Sequence, residues 1–491
     1  MKKQKITGLL WMVLMFLFAS CSDDKTTEVE ESIAPGPVLE TQKIVLNSED
    51  YRHEFKGGGV SIGLFLGHHY SMNAAAQNEA IKLLSEDCNM QYFQDYIEIY
   101  PEDDPAYFDR RADYVKAAKV YQPDLKFSLV GNKFPKDLRR EIIVNGETLN
   151  VLNTDDPEIY DRVANWYFKL FEGFYERGVP VEILNVVNEP DLDRPFRKHD
   201  YGLNGDTKEA VSRVFKFAVP KFKDMINDPL MNKLNMKMPL IMGPSTISPN
   251  GCIEYMQYFK ANHPEVWSDI DIIATHQYIN GANPELFKSI VALAEGKEFY
   301  QSETHALKGD GLSLNETYAS RSLLAALSLS NLFSTAVNNG VTSWWYFENN
   351  YPDEVVHPGG LLSIPWAASY PTPYKHYYVY KSLTSAQPAS SSVLGFSMES
   401  KLNTELIAFR KKGQSTVYAH YSNYNITANN IEISIKGINT SPKIVGYSLT
   451  RTSENENGSL VESKTFETPQ DKVIIKAERL SFNSLELILK D

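Results

Sequence analysis

What most restricts this chain is an alternation. From about residue 57 to 385, short β-rich runs take turns with segments whose apolar residues recur at helical spacing. Parallel strands need a crossover long enough to hold a helix, so this rhythm reads as repeated strand-helix units around a parallel sheet. Eight strand candidates fall at 58–65, 90–97, 126–131, 181–187, 239–242, 270–274, 298–302 and 341–346. Between them lie amphipathic stripes, such as Ala80, Ile81, Leu84 and Cys88, or Ile159, Val163, Trp166, Tyr167, Leu170, Phe171 and Phe174. One more helix is expected from Asn315, as N-cap, to Asn338-Asn339-Gly340, as C-cap. Eight units predict an α/β fold, the closed (β/α)8 TIM barrel.

After about residue 393 the period changes to that of short strands, at 406–409, 415–421, 431–435, 444–449 and 485–489, with no helical spacing between them. A C-terminal antiparallel β-sandwich is the expectation, with residues 42–47 adding a strand to it. The predicted organisation is a signal peptide at 1–21, a flexible tether at 22–40, a strand joining the side domain at 41–56, the barrel at 57–392 and the sandwich at 393–491.

The start of the chain reads as a targeting segment. Lys2, Lys3 and Lys5 precede an apolar stretch from Leu9 to Phe18, too short for a stable membrane span, and Ala19-Ser20-Cys21 closes it. Cys21 after small residues, followed by Ser22-Asp23-Asp24, resembles a bacterial lipoprotein lipobox, with Phe18 where an aliphatic residue is usual. That resemblance implies lipid attachment at Cys21 and a place in the cell envelope, at the outer membrane. A cleaved signal peptide with an incidental cysteine is the other reading. The remaining cysteines, Cys88 and Cys252, make no disulfide framework and no C-x-x-C metal spacing, and are expected to be buried thiols.

A net charge of −13 over 491 residues, with no basic run beyond the first five residues, argues against a nucleic-acid partner. The histidines show no H-E-x-x-H or similar spacing, so no metal is expected. Gly57-Gly58-Gly59 has neither Rossmann spacing nor a Walker lysine, and no G-x-S-x-G occurs, so no cofactor and no serine nucleophile are expected.

Barrel enzymes keep their reactive groups at the C-terminal ends of the strands. Two apolar runs end in glutamate there: 181–187 leads into Asn188-Glu189-Pro190, and 298–302 leads into Glu303-Thr304-His305. These are the fourth and seventh strand candidates, whose ends face one another across a barrel mouth. Two carboxyls flanking one glycosidic bond are what hydrolysis with retention requires. Asn-Glu-Pro ending the fourth strand and Ser-Glu ending the seventh resemble the signature of the retaining glycoside hydrolases of clan A. Within the clan the chain is most similar to glycoside hydrolase family 30, through Gly57-Gly58-Gly59 on the first strand, Gly359-Gly360 after the last, and the tract from Tyr377-Tyr378 to Pro388. Val130-Gly131-Asn132-Lys133-Phe134-Pro135 keeps part of that family's Pro-rich third-strand motif.

The resemblance implies Glu189 as acid/base, Glu303 as nucleophile and Asn188 as a ligand of the sugar 2-hydroxyl. It also implies His276 and Tyr278 as the ring groups that orient the nucleophile, and Trp344 or Trp345 as a sugar platform. On the residues alone, His276 and Tyr278 could equally be a bonded core pair, and one of the two tryptophans must point outward. The implied partner is a polysaccharide or oligosaccharide, with the protein acting as a monomer on an N-terminal lipid anchor. From another class of function, the same features fit a non-catalytic glycan-binding lipoprotein on a barrel scaffold.

Overall fold

The structure, a computed structural model, describes residues 39–490 apart from 64, 132, 145, 193–206, 306–322, 352–358, 386–389, 400–401 and 438–440. Among the described residues, eight parallel strands close a barrel in chain order: Gly58–Ser61, Tyr92–Ile97, Lys126–Gly131, Ile183–Asn185, Leu240–Thr246, Ile272–His276, Glu298–Glu303 and Ser343–Tyr346. All eight overlap the runs expected from the sequence. Alternation along each strand divides its side chains between two cores. Tyr92, Ile183, Met242, Ile272, Ala274, Tyr300 and Trp345 turn inward and fill the barrel. Their neighbours Phe93, Leu184, Ile273, Phe299 and Trp344 turn outward under the helices. The indole of Trp345 stacks on Tyr92 with ring centres 5.3 Å apart. A Cβ on Gly59 would lie 2.5 Å from Cδ1 of Trp345, so the glycine of the first strand makes room for this ring.

The outer layer follows the expected stripes. Helix Ile159–Glu176 buries Ile159, Val163, Trp166, Tyr167, Leu170, Phe171 and Phe174. Helix Leu323–Asn338 is apolar nearly all round, and its C-terminus is followed by Gly340 at φ +104°; the expected N-cap Asn315 lies outside the described residues. An all-round apolar helix must be covered on both sides. The barrel covers one side and the second domain the other: Asn338 Nδ2 donates to the Leu406 carbonyl at 2.9 Å, and the hydroxyls of Ser330 and Ser422 are 2.8 Å apart. Among the elements not expected from the sequence is a hairpin of Arg139–Val144 and Glu147–Leu152 after the third strand. Asn145-Gly146 is its signal in the sequence, with Gly146 at φ +84°.

The C-terminal domain is a β-sandwich around its own core of Ile44, Leu46, Leu406, Ala408, Val417, Ile431, Leu449, Leu485 and others. Thr41–Phe55 pairs antiparallel with Ser391–Met398 and parallel with Asn429–Lys436. That parallel junction departs from an antiparallel order that otherwise holds through the sheet. The reason is connectivity: no hairpin links the N-terminal strand to Asn429–Lys436, so no tight turn dictates their relative direction. Strand Thr404–Arg410 shows how the two domains share a sheet. Leu406 and Ala408 enter the sandwich core, whereas Ile407 and Phe409 belong to the barrel's outer core. Cys88 and Cys252 are free and buried. No helix among the described residues is long and apolar enough to cross a membrane.

Candidate active site

Glu189 sits four residues past the end of the fourth strand and is held by its neighbours. Tyr167 donates to the Val186 carbonyl at 2.9 Å, and the Glu189 amide donates to the Ser245 carbonyl at 2.8 Å. Both Glu189 and Ser245 lie in the left-handed region, at φ +47° and +49°. For residues other than glycine this conformation costs of order 1–3 kcal/mol and persists only where the surroundings impose it.

Glu303 ends the seventh strand. With Tyr300 pointing inward, strict alternation would send Glu303 outward beside Phe299. Pairing with the sixth strand slips between Gln301 and Glu303, so that Glu303 stands opposite His276. A one-residue irregularity of this kind re-aims a side chain, and here it turns the carboxylate into the mouth.

Inside the mouth the two glutamates meet. Glu189 and Glu303 are only 8% and 6% exposed, and His276 is fully buried between them. The His276 Nδ1 lies 3.2 Å from Oε1 of Glu189, and its Nε2 lies 3.7 Å from Oε2 of Glu303. One oxygen of each carboxyl and one ring nitrogen of His276 lie within 4.8 Å of one another. Tyr278 donates to Oε1 of Glu303 at 2.9 Å, and Tyr96 donates to Oε2. Tyr96 does not stand out in the sequence; its signal is the polar and aromatic period Tyr92, Gln94, Tyr96 along the inward face of the second strand.

Burial pushes Glu303 above the usual carboxylate range, His276 opposes that rise, and the charge of Glu189 adds to it. Burial alone would lower His276, but the surrounding carboxylates Glu303, Glu189 and Asp191 raise it above its ordinary value. Asp191, two residues past Glu189, is pushed up to about 6 by burial. Burial also drives Tyr96 and Tyr278 well above an ordinary phenol, so both stay protonated donors. Glu189, His276 and Glu303 form the one group among the described residues with donors close enough to share a cation.

Above these groups opens a cavity of about 420 Å³, whose wall includes Gly63, Tyr96, Glu98, Arg111, Asn188 and Phe347. Arg111 pairs with the buried Asp95 at 2.7 Å and donates to the Gly63 carbonyl at 3.2 Å. Asn188 lines this cavity beside Glu189. Trp344 and Trp345 do not line it. Trp345 points inward but one layer too low, inside the barrel filling, and Trp344 points outward, donating to Gln277 at 2.9 Å. Both are fully buried. Of the rings at the end of the eighth strand, Phe347, two residues beyond Trp345, is the one that lines the cavity.

No protein-family model matches the chain, and no curated protein matches it. Solved structures do. A GH30 endoxylanase from Clostridium papyrosolvens C71 superposes with a TM-score of 0.67 at 13% identity, over 91% of this chain and 100% of its own. The fold is that of glycoside hydrolase family 30. A conserved exported protein from Bacteroides fragilis superposes with a TM-score of 0.69 at 11% identity, over 90% of this chain and 99% of its own. An endo-beta1,6-glucanase does so with a TM-score of 0.60 at 15% identity, over 91% of this chain and 94% of its own. The family 30 likeness thus spans barrel and sandwich together, as the sequence resemblance implied.

Proposed function

We propose that the protein is a retaining β-glycoside hydrolase acting on an extracellular polysaccharide or its oligosaccharides, with Glu303 as nucleophile and Glu189 as acid/base. The observation that carries this reading is the pair of strand-ending glutamates, with carboxyl oxygens within 4.8 Å across the mouth of a closed barrel. Retaining enzymes hold their carboxyls about 5–5.5 Å apart, whereas inverting ones leave about 6.5–9.5 Å for a water. Two phenols donate to Glu303, which favours leaving the negative charge there. Glu189, with its neighbour carboxylate close by, is then the group to keep a proton for the leaving oxygen.

The sequence of events follows. Glu303 attacks the anomeric carbon while Glu189 gives its proton to the departing oxygen. Once Glu303 is esterified its charge is gone, and Glu189 as carboxylate takes a proton from water, which attacks the same carbon and releases Glu303. Asn188 and Phe347 line the cavity; in this reading Asn188 bonds the sugar hydroxyl next to the reacting carbon and Phe347 faces the ring. Similarity to xylanases and to a β-1,6-glucanase supports a polysaccharide substrate. Likeness to an exported protein supports action outside the cytoplasm; the lipobox-like setting of Cys21 in the sequence supports it as the lipid-bearing residue. Cys21→Ala should then release the protein from membranes with turnover unchanged.

The test is hydrolysis of xylans, β-1,3- and β-1,6-glucans, galactans and mannans, with product configuration followed by NMR. Retained configuration is expected, with Glu303→Gln nearly inactive. Glu189→Ala should lose roughly 10²–10⁴-fold on polysaccharide. On an aryl glycoside it should keep turnover and be rescued by azide. Inverted products would overturn the mechanism. Binding without hydrolysis across the panel would leave the glycan-binding reading instead.

A further inference from the structure

A single exposed ring is ordinary on a protein surface, and its place in the fold decides whether it has a use. Trp366 and Tyr370 are 69% and 72% exposed, in the segment between the eighth strand and helix Lys375–Ser385. Trp366 is held in place from below. Its ring meets His68 edge-on at 5.4 Å, and the adjacent Ala367 amide donates to Oγ of Ser71 at 2.7 Å. His68 and Ser71 belong to the short helix Leu66–Ser71, which follows the first strand. Trp366 therefore stands on the rim of the same barrel face that carries the glutamates.

A run of rings, broken only at Gly359, joins the two places. Tyr278, bonded to Glu303, has its ring centre 5.1 Å from His305. Gly359 packs between His305 and Tyr351: a Cβ there would lie 3.6 Å from the first ring and 3.1 Å from the second. Tyr351 lies 4.7 Å from Phe65, and Phe65 lies 6.0 Å from His68, on which Trp366 rests. This path leaves the mouth over the seventh, eighth and first strands, away from the Arg111 side of the cavity.

Resting on the glycosidase reading above, we propose that Trp366 is a distal sugar platform, which binds a substrate chain several units from the bond cleaved and so makes the enzyme prefer extended chains. Indole faces stack on the apolar faces of sugar rings, and a ring already fixed by its neighbours loses little freedom when it does so. A platform remote from the reacting atoms should act on long substrates and leave short ones alone.

The experiment compares the parent with Trp366→Ala, a change at an exposed ring that leaves the core intact. The substrates are an aryl β-glycoside and oligosaccharides, from disaccharide to hexasaccharide, of whichever panel polysaccharide the parent cleaves. Expected is a loss of about tenfold in kcat/KM on the longest chains, carried by KM, with the aryl glycoside unchanged. Equal losses at every length, or none, would overturn the platform while leaving the glycosidase reading standing. A parent inactive on the whole panel would sink the glycosidase reading instead. Native gels containing the same polysaccharides then decide the platform separately: the parent should be retarded more than Trp366→Ala, and equal mobility overturns it. A parent dimer that Trp366→Ala dissociates, with no change in chain-length preference, would assign the ring to a second copy of the chain and overturn the proposal as well.

Discussion

At the scale of residues, the site is a set of donors arranged around one carboxylate. Tyr96 and Tyr278 each give a hydrogen bond to Glu303, and each lowers the proton affinity that burial raises. Removing either hydroxyl should therefore move the acidic limb of the kcat/KM profile to higher pH. A bond to a charged group is worth about 1.5–3 kcal/mol, so Tyr278→Phe should cost roughly 10–100-fold at neutral pH. A pH-rate profile unchanged in shape would show that the phenols do not tune Glu303. The aromatic residues of the eighth strand divide in the same way. Trp345 fills the barrel, and its truncation to alanine should cost about 3–5 kcal/mol of stability. Phe347 lines the cavity, and Phe347→Ala should leave the melting temperature nearly intact and raise KM. Calorimetry and kinetics on the two variants separate these outcomes. Asn188-Glu189-Pro190 and Glu303 are legible in the sequence because their types and spacing fit a reaction. Tyr96 and Phe347 are not, because any strand carries such rings and only depth along the strand tells a wall residue from a filling one.

At the scale of elements, the strand Thr416–Asn423 carries a liability. His420 faces the barrel, stacked on Phe482 with ring centres 5.8 Å apart, and neither ring nitrogen has a hydrogen-bond partner among the described residues. Burial pushes its pKa down to about 3 from 6.5. Above pH 6.5 the ring is neutral in both folded and unfolded chains and has no effect on the pH dependence. Below it the unfolded chain takes a proton that the folded one refuses. Stability falls with acid down to pH 3, by at most about 1.4 kcal/mol per pH unit. His420→Leu should flatten this acid loss, seen as a smaller difference between denaturant midpoints at pH 7 and pH 5. An unchanged difference would mean that the ring finds a partner in solution. The elements themselves are readable wherever a period is long: the helical stripe of 159–174 and all eight barrel strands. Strand 459–470 does not stand out, because it is exposed along nearly its whole length and has no buried apolar run; strand 472–477 buries only Val473, Ile475 and Ala477, too short an alternation to stand out.

At the scale of the whole molecule, barrel and sandwich share helix Leu323–Asn338 and the two-faced strand Thr404–Arg410, so neither closes its core alone. The protein should melt in one transition, with calorimetric and van't Hoff enthalpies equal. A chain ending near Gly395 should be insoluble or molten, because it uncovers the apolar outer side of that helix. A soluble, fully active truncated protein would show the sandwich to be dispensable. The strand Thr41–Phe55 adds to this dependence, since it pairs with both Ser391–Met398 and Asn429–Lys436 and ties the start of the described chain to its end.

By itself the sequence determined the number of barrel strands, the type of both domains and the positions of the two glutamates, since each rests on a local period or on what ends it. Tertiary structure decided the rest. The slip between the sixth and seventh strands turns Glu303 inward, the height of Phe347 above Trp345 chooses the ring in the cavity, and the fold brings Tyr96, His276 and Tyr278 to the carboxylates from three different places in the chain. Register and depth depend on how neighbouring strands pair around a closed barrel, and no single strand encodes its neighbour's position.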